Sequence, residues 1–345
     1  MNSASKIITP SLSIVVIGRN EGQRLRDCLQ SLRLIRNIGE NVETIYVDSG
    51  STDGSPQAAA ELGAEVVVLN ATRPTAALGR NAGWERARAE FILFLDGDTI
   101  LHPDFPRRAL DSLASDPKIA AVWGHRREID PQGSLYNRIL DLDWVFPTGD
   151  SPFCGGDVVM RREVLEAVGG YDGNLIAGEE PELCRRMRAQ GFSILHLDAP
   201  MTGHDLQMKH FRQYWKRALR AGHAYAEVSA RFRGTPDPFW QAERKGNLRR
   251  GGFWLISFFL AVVATILLRS FLPALAWISL LLLLSLRSAW NARWKSRNVA
   301  TLLAYGVHSQ LQQIPIFLGQ LQFDRDRRRG RQRKLIEYKG SSCQT

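Results

Sequence analysis

Apolar residues in the first hundred positions fall in short, mainly apolar runs separated by amphipathic stretches, and the last of these runs is unbroken. The runs are Leu12–Ile17 (LSIVVI), Val42–Val47 (VETIYV), Glu65–Leu69 and Phe91–Leu95 (FILFL). Runs this short, without polar alternation, predict strands covered on both faces, as in a parallel sheet. Between them, Gly22–Leu34 sets Leu25, Leu29 and Leu32 among Arg and Gln, which predicts a helix lying on the sheet. Pro56–Leu62 and Ala76–Ala89 predict two more. The alternation predicts an α/β chain built on a doubly wound, mostly parallel sheet. After Pro103 the pattern loosens. Ala120–His125 predicts a strand, Arg161–Val168 a helix, and Pro181–Gln190 a helix opened by proline and closed by Gly191. Ile194–Leu197 predicts a short strand and His210–Phe232 a long, basic, aromatic-rich helix. Arg126–Pro152 is polar and mixed and predicts no element.

The pattern changes again near residue 250. Phe253–Leu268 and Phe271–Leu286 are each sixteen residues without a charge, separated by Arg269-Ser270. A spanning helix takes about 20 apolar residues, and Gly251-Gly252, Trp254 and Trp290 extend each run. Arg244, Lys245, Arg249 and Arg250 precede the pair, and Arg287, Arg293, Lys295 and Arg297 follow it. Basic flanks on both outer sides predict a transmembrane helical hairpin with both ends in the cytoplasm. A hairpin lying in or dipping into one leaflet and a wholly soluble apolar core hairpin are the alternatives. Asn298–Leu321 carries apolar residues near helical spacing and predicts an interfacial amphipathic segment leading into the basic run DRDRRRGRQRK.

Composition adds one fact to this picture. The net charge is +10, and Arg287–Gly340 holds twelve Lys and Arg against three Asp and Glu. A basic end behind an apolar hairpin points to anionic lipid headgroups. No aromatic–basic interleaving or nucleic-acid motif accompanies it, so nucleic acid is not an expected partner. Cys28, Cys154, Cys184 and Cys343 are scattered without metal-ligand spacing, which predicts reduced thiols and no structural zinc. The N-terminus lacks the basic region and long apolar stretch of a signal peptide.

The candidate chemistry sits where strands end. FILFL runs into Asp96-Gly97-Asp98, two carboxylates beside the carboxyl end of a buried strand, where open α/β sheets bind ligands. Both can turn towards one hard divalent cation, Mg²⁺ or Mn²⁺, that also carries phosphate. The first three strands end in VIGRNEG, VDSGSTDGS and LNATRP. Glu21 and Asp48 suit the donors of a base or ribose, and Asp48 equally suits an Asx-turn. Arg80, in Gly79-Arg80-Asn81-Ala82-Gly83, offers forked donors for a diphosphate.

Together these residues resemble family 2 glycosyltransferases with the GT-A fold, a Rossmann-like sheet. The resemblance runs from about Leu12 to Gly222. It rests on VIGRNEG, VDSGSTDGS, GRNAG, FLDGD, CGGDVVMRR with GGYD after it, and GEEPELCRRMR, in that order. It implies that Ile17, Arg19, Glu21, Asp48, Arg80, Asp96, Gly156 and Asp157 line a nucleotide-sugar site. It also implies that Asp96 and Asp98 hold the metal on the donor diphosphate. His204, in Met201-Thr202-Gly203-His204-Asp205, stands where metal-dependent relatives complete the metal shell, and a nitrogen ligand favours Mn²⁺.

The chain departs from the family pattern in several places. Ile17-Gly18-Arg19 replaces a Pro and an aromatic, and Val47-Asp48-Ser49 carries one aspartate where many members have two. Asp157 stands for a frequent Asn. The acidic pair reads Glu179-Glu180 instead of Glu-Asp, so Glu180 inherits the role of catalytic base, with Glu179 the neighbouring alternative. Gln213–Arg217 is similar to the Q-x-x-R-W motif of processive members without matching it.

The resemblance implies an inverting transfer of a sugar from a nucleoside-diphosphate-sugar to a lipid-linked or cell-surface glycan acceptor, at the cytoplasmic face of the inner membrane. A polyprenyl-phosphate sugar synthase is the nearest alternative, because a phosphate acceptor needs no strong base. A sugar nucleotidyltransferase and a non-catalytic membrane scaffold are more distant ones. The expected domains are a catalytic domain at 1–232, a basic linker at 233–251, a hairpin at 252–287 and a basic interfacial tail at 288–345.

Overall fold

The computed structural model describes residues 10–39 and 41–331. The chain divides into two compact units, Met1–Ile129 with Phe146–Leu206, and Asp130–Val145 with Gln207–Thr345. The strands are β1 (Leu12–Gly18), β2 (Val42–Asp48), β3 (Glu65–Val68), β4 (Phe91–Asp96), β5 (Thr99–Leu101), β6 (Ile119–Glu128), β7 (Gly149–Asp150), β8 (Val158–Arg161) and β9 (Ser193–His204). The helices of the first unit are α1 (Gln23–Leu32), α2 (Ser55–Glu61), α3 (Ala76–Trp84) and α4 (Phe105–Ser115); α6 (Arg162–Val168) and α7 (Glu179–Ala189) follow α5 (Leu135–Asp141), which belongs to the second unit.

Among the described residues the strands form one sheet in the order β3-β2-β1-β4-β8-β6-β9-β5, with β7 on β9. The half built from the apolar runs, β3-β2-β1-β4, is parallel throughout. The other half is mixed: β8 runs antiparallel to β4 and β6, and β9 runs parallel to β6. Register sets the functional edge. Gly18 lies opposite Asp48, and Ile17 opposite Asp96, so three strand ends meet at one place. The core under this edge is fully buried, with Ile14, Val15, Val16, Ile45, Leu93, Phe94 and Leu95 at 0% exposure. That double-sided burial is why β4 reads as an unbroken apolar run and why β1 and β2 are apolar where they are buried.

Several elements differ from the sequence reading. The helix expected over Ala76–Ala89 stops at Trp84, because Trp84–Ala89 only turns the chain into β4. Helix α4 lies where the pattern loosened after Pro103, and strand β5 lies just before that proline, directly after the aspartate pair. The helix expected from Arg161 begins at Arg162, because Arg161 is the last residue of strand β8, whose four residues are all buried. The short strand at Ile194–Leu197 is twelve residues long and reaches His204. The helix expected from Pro181 starts at Glu179, which puts both members of the acidic pair in its first turn. The unassigned stretch Arg126–Pro152 holds the end of β6, helix α5, a 3-10 turn at Leu142–Trp144 and strand β7.

The second unit is helical: α5, α8 (Phe211–Arg231), α9 (Gln241–Leu267), α10 (Leu272–Asn291), α11 (Val299–Leu311) and α12 (Gln313–Arg328). The stretch expected as a linker is helical from Gln241 onward and continues into the apolar run. Among the described residues, α9 and α10 are long and apolar enough to cross a membrane, and only 11% of the apolar window of each is buried. They form a hairpin, with Trp277 donating its indole N–H to Ser257 Oγ at 3.1 Å and packing edge-on against Trp254. Arg269 closes α9 in a left-handed conformation, φ 46°. The segment 298–321, expected as one amphipathic stretch, is two helices. Of these, α12 lies on α8, with Gly319 against the Leu219 carbonyl and Gly222 against Ile316. Arg217 pairs with Asp143 at 3.6 Å, and Asp143 also accepts from Tyr305 Oη at 3.2 Å. The last residues of the basic run, from Gln332 onward, and Cys343 lie outside the described residues.

Candidate active site

All the sequence-predicted site residues lie in the first unit. The two loops that end β1 and β2 are tied together. Asn20 donates its backbone N–H to Ser51 Oγ at 2.9 Å and accepts from the Thr52 amide at 2.7 Å. Asp48 is 2% exposed and shapes the second loop: it accepts the Gly50 and Ser51 amides at 2.9 and 2.8 Å and the Tyr46 hydroxyl at 3.0 Å. Its Asx-turn role is therefore realised, with the carboxylate still at the strand edge. Ile17 is buried beneath the edge and accepts the Gly97 amide at 2.8 Å; Arg19 is exposed on the β1 loop. Glu21 pairs with Arg24 at 2.6 Å, and Arg24 also stands 4.0 Å from Asp98.

The GRNAG motif works by close approach and clamping. A Cβ on Gly83 would collide with Val15, so α3 lies directly on β1. Thr75 caps the helix by accepting the Leu78 amide at 3.2 Å. Asn81 holds Tyr171 of the GGYD segment by two bonds, accepting its amide at 2.9 Å and donating to its carbonyl at 2.7 Å. These contacts fix Arg80, 2% exposed, as the hub of the site. It donates to Asp96 at 3.0 Å and to Glu179 at 3.1 Å, pairs with Glu180 at 3.1 Å, and lies 5.6 Å from the centre of the Tyr171 ring.

Asp96, Asp98 and His204 come together although β9 delivers the last of them from a hundred residues away. One ligand atom from each lies within 4.8 Å of the others. His204 Nε2 stands 3.5 Å from Asp98 Oδ2. Antiparallel pairing of β5 with β9 causes this, since it sets Thr99 opposite His204. Two carboxylates and one imidazole are a donor set that fits Mn²⁺ or Mg²⁺.

Asp157 is placed beneath the aspartate loop. It accepts the Asp96 amide at 3.1 Å and the Thr202 hydroxyl at 2.7 Å, and burial raises its pKa. It thus braces the loop and β9 against each other. Gly156 faces the hub: a Cβ there would collide with Arg80 Nη2 and stand 3.1 Å from Asp96 Oδ2. Gly156→Ala is expected to push Arg80 off Asp96. The result is a loss of roughly 1–3 kcal/mol in denaturant unfolding, typical of overpacking, together with a marked fall in transfer.

Glu179 is 4% exposed, while the Glu180 side chain keeps 16% exposure. Burial, and then the adjacent Glu179 carboxylate, push Glu180 up to about 7 against the pull of Arg80. A carboxylate with that affinity for a proton is suited to general-base work near neutral pH.

Three residues at the site escaped the sequence reading. Arg126, at the end of β6, donates to Asp96 at 3.3 Å and stands 3.6 Å from Asp157. The uninterrupted apolar lead of β6 into His125 was the available signal. Arg24 lies three residues from Glu21, a helical spacing that brings the two side chains together. Tyr171 was visible only as part of a motif.

The residues 13–169 match the model of "Glycosyl transferase family 2". EpsH of Bacillus subtilis (strain 168), a protein named as a glycosyltransferase, is 33% identical over 245 residues, covering 65% of this chain and 69% of EpsH. The chain belongs to glycosyltransferase family 2. Solved structures agree on the fold. The mannosyltransferase PcManGT of Pyrobaculum calidifontis, determined with GDP-Man and Mn²⁺, superposes with a TM-score of 0.64 at 19% identity over 93% of this chain and 88% of that one. Residues 1–349 of TarS from S. aureus give a TM-score of 0.51 at 14% identity, covering 93% and 92%. The protein is thus a family 2 glycosyltransferase on a GT-A fold, followed by an apolar helical hairpin.

Proposed function

We propose that this glycosyltransferase moves a sugar, with inversion, from a nucleoside-diphosphate-sugar to a hydroxyl of a lipid-linked or cell-surface glycan, at the cytoplasmic face of the inner membrane. One observation carries the reading: the Asp96–Asp98–His204 cluster and the acidic pair Glu179–Glu180 are joined through a single buried arginine. Such an arrangement provides for both ends of a displacement, with a base for the incoming hydroxyl and charge stabilisation for the leaving diphosphate.

Glu180 takes the proton of the acceptor hydroxyl as its oxygen bonds to the anomeric carbon. The bond from that carbon to the diphosphate oxygen breaks with its electron pair, and the nucleoside diphosphate leaves. Asp96, Asp98 and His204 would hold the divalent cation. When bound, it supplies Lewis-acid stabilisation of the diphosphate charge. Arg80 and Arg126 keep Asp96 turned towards the site, and Asp157 holds its backbone. Ile17, Arg19, Glu21, Asp48 and Gly156 form the donor-facing wall in this reading. Solved relatives described with GDP-Man or UDP-GlcNAc support a nucleotide-sugar donor.

A panel of nucleotide sugars, assayed for nucleoside diphosphate release with Mn²⁺ and a membrane-extracted acceptor, tests the reading. Release with one donor that requires the acceptor supports it. Release that needs only a polyprenyl phosphate moves the assignment to a polyprenyl-phosphate sugar synthase.

The hairpin and its basic flanks support membrane anchoring, with the catalytic unit and both hairpin ends in the cytoplasm. The full chain is expected to stay with membranes in high salt and to be released by detergent, since burial of apolar helices is not screened. Release by salt alone would leave a peripheral protein held by charge.

A further inference from the structure

The second unit contains a basic cleft that the transfer reaction does not use. Arg233 beyond α8, Arg244 in the first turns of α9, and Asp324, Arg327 and Arg328 near the end of α12 line a cleft of about 540 Å³. A neighbouring cleft of about 330 Å³ shares Asp324 and Arg328 and adds Leu321, Arg325 and Arg329. Four arginines face one aspartate in the larger cleft.

That aspartate is already engaged. Arg244 gives both of its contacts with Asp324, at 2.7 and 2.8 Å, from one nitrogen, Nη2. Its other terminal nitrogen, Nη1, is buried and has no hydrogen-bond partner among the described residues, while the residue as a whole is only 8% exposed. A guanidinium is planar and carries donors on both arms, so a half-used fork in a buried place calls for a second acceptor. Arg244 lines the cleft, and apart from the already paired Asp324 the other lining side chains are cations, so the acceptor that fits there is an anion. Phosphate and diphosphate match the fork geometry and neutralise several arginines at once.

Location narrows the source. Arg244 precedes Phe253, the first residue of the uncharged run, by nine positions, or roughly 13 Å of helix. With α9 in the bilayer, this is at the membrane surface, a few ångströms outside a headgroup layer about 5–8 Å deep on each face.

We propose that this cleft binds a phosphate- or diphosphate-bearing anion carried on a membrane lipid, with Arg244 as the buried anchor and Arg233, Arg327 and Arg328 as its rim. The inference rests on the membrane reading of α9 and is independent of the transfer site.

The test uses full-length protein in detergent with excess chelator and no donor, so that the aspartate cluster is silent. Thermal unfolding is followed against phosphatidic acid in mixed micelles, against inorganic pyrophosphate, and against phosphatidylcholine as the uncharged control. Wild type is expected to be stabilised by phosphatidic acid and not by phosphatidylcholine. Arg244→Gln and, as a rim variant that leaves the Arg244–Asp324 pair intact, Arg328→Gln are expected to shift the titration midpoint by about tenfold or more. A response to pyrophosphate as well upholds phosphate chemistry for the cleft. A response to pyrophosphate alone overturns the lipid source. No response to either anion, or the same response in wild type and Arg328→Gln, overturns the site. Because no donor or divalent metal is present, each of these outcomes leaves the transfer reading to stand or fall by its own assay.

Discussion

Asp98→Ala is expected to lower kcat/KM for sugar transfer by about 10³-fold or more, and to remove metal-dependent nucleotide binding with it. The magnitude follows from charge. A divalent cation at a diphosphate contributes several kcal/mol of stabilisation, and each 1.36 kcal/mol is tenfold in rate. Asp98 is 2% exposed and lies 3.5 Å from His204, so its removal takes a carboxylate from the buried side of the cluster. The isosteric Asp98→Asn is the control for folding: it keeps the shape beside Arg24 and His204 and loses the charge. Two measurements decide the matter, transfer in excess chelator and the thermal shift produced by a nucleoside diphosphate with and without Mn²⁺. Full activity in chelator, or a nucleotide shift indifferent to metal in the wild type, would remove the cation from the reading.

Replacing the base has a different signature. Glu180→Gln is expected to leave donor binding nearly unchanged and to lower kcat by about 10²–10⁴-fold, the usual contribution of a positioned general base. The pH profile separates this from a structural effect. Burial and Glu179 raise Glu180 to about 7, so the active carboxylate fills as pH rises through 7. Below that, kcat/KM of the wild type should fall about tenfold per pH unit, because it reports the free enzyme. Glu180→Gln should lack this limb. Glu179→Gln should keep a limb but move it to lower pH, because the Glu179 carboxylate is one of the two influences that hold Glu180 up. A healthy Glu180→Gln beside a dead Glu179→Gln would move the base by one residue. Two healthy variants would favour a phosphate acceptor, which needs no base.

Strong local patterning made half of the sheet and the hairpin legible in the sequence. The strand β4 and the inner parts of β1 and β2 are buried on both faces and so are apolar there, and the runs before and after Arg269 are sixteen residues each without a charge. The motifs were legible for a related reason. Gly83 and Gly156 stand where a Cβ would collide with Val15 or Arg80, and Asn81 is the side chain that clamps Tyr171. Constraints of that kind act within a few residues or fix one residue type, so they leave a mark on the chain.

Pairing across the fold left no such mark. Strand β8 runs antiparallel between β4 and β6, and nothing local in Val158–Arg161 announces its direction. The long β9 was half hidden because the exposed Asp198 and Pro200 interrupt it in its middle. Its antiparallel partner β5 is three residues long, yet that pairing brings His204 to Asp98. Arg126 was lost in a polar stretch because its acidic partners, Asp96 and Asp157, lie 30 and 31 positions away in sequence. The sequence by itself determined which strand ends carry the carboxylates and that the C-terminal helices are apolar outward. Only the tertiary structure decided that Arg80 joins the metal cluster to the acidic pair, because a buried cation can sit between three carboxylates only after three separate elements have packed around it.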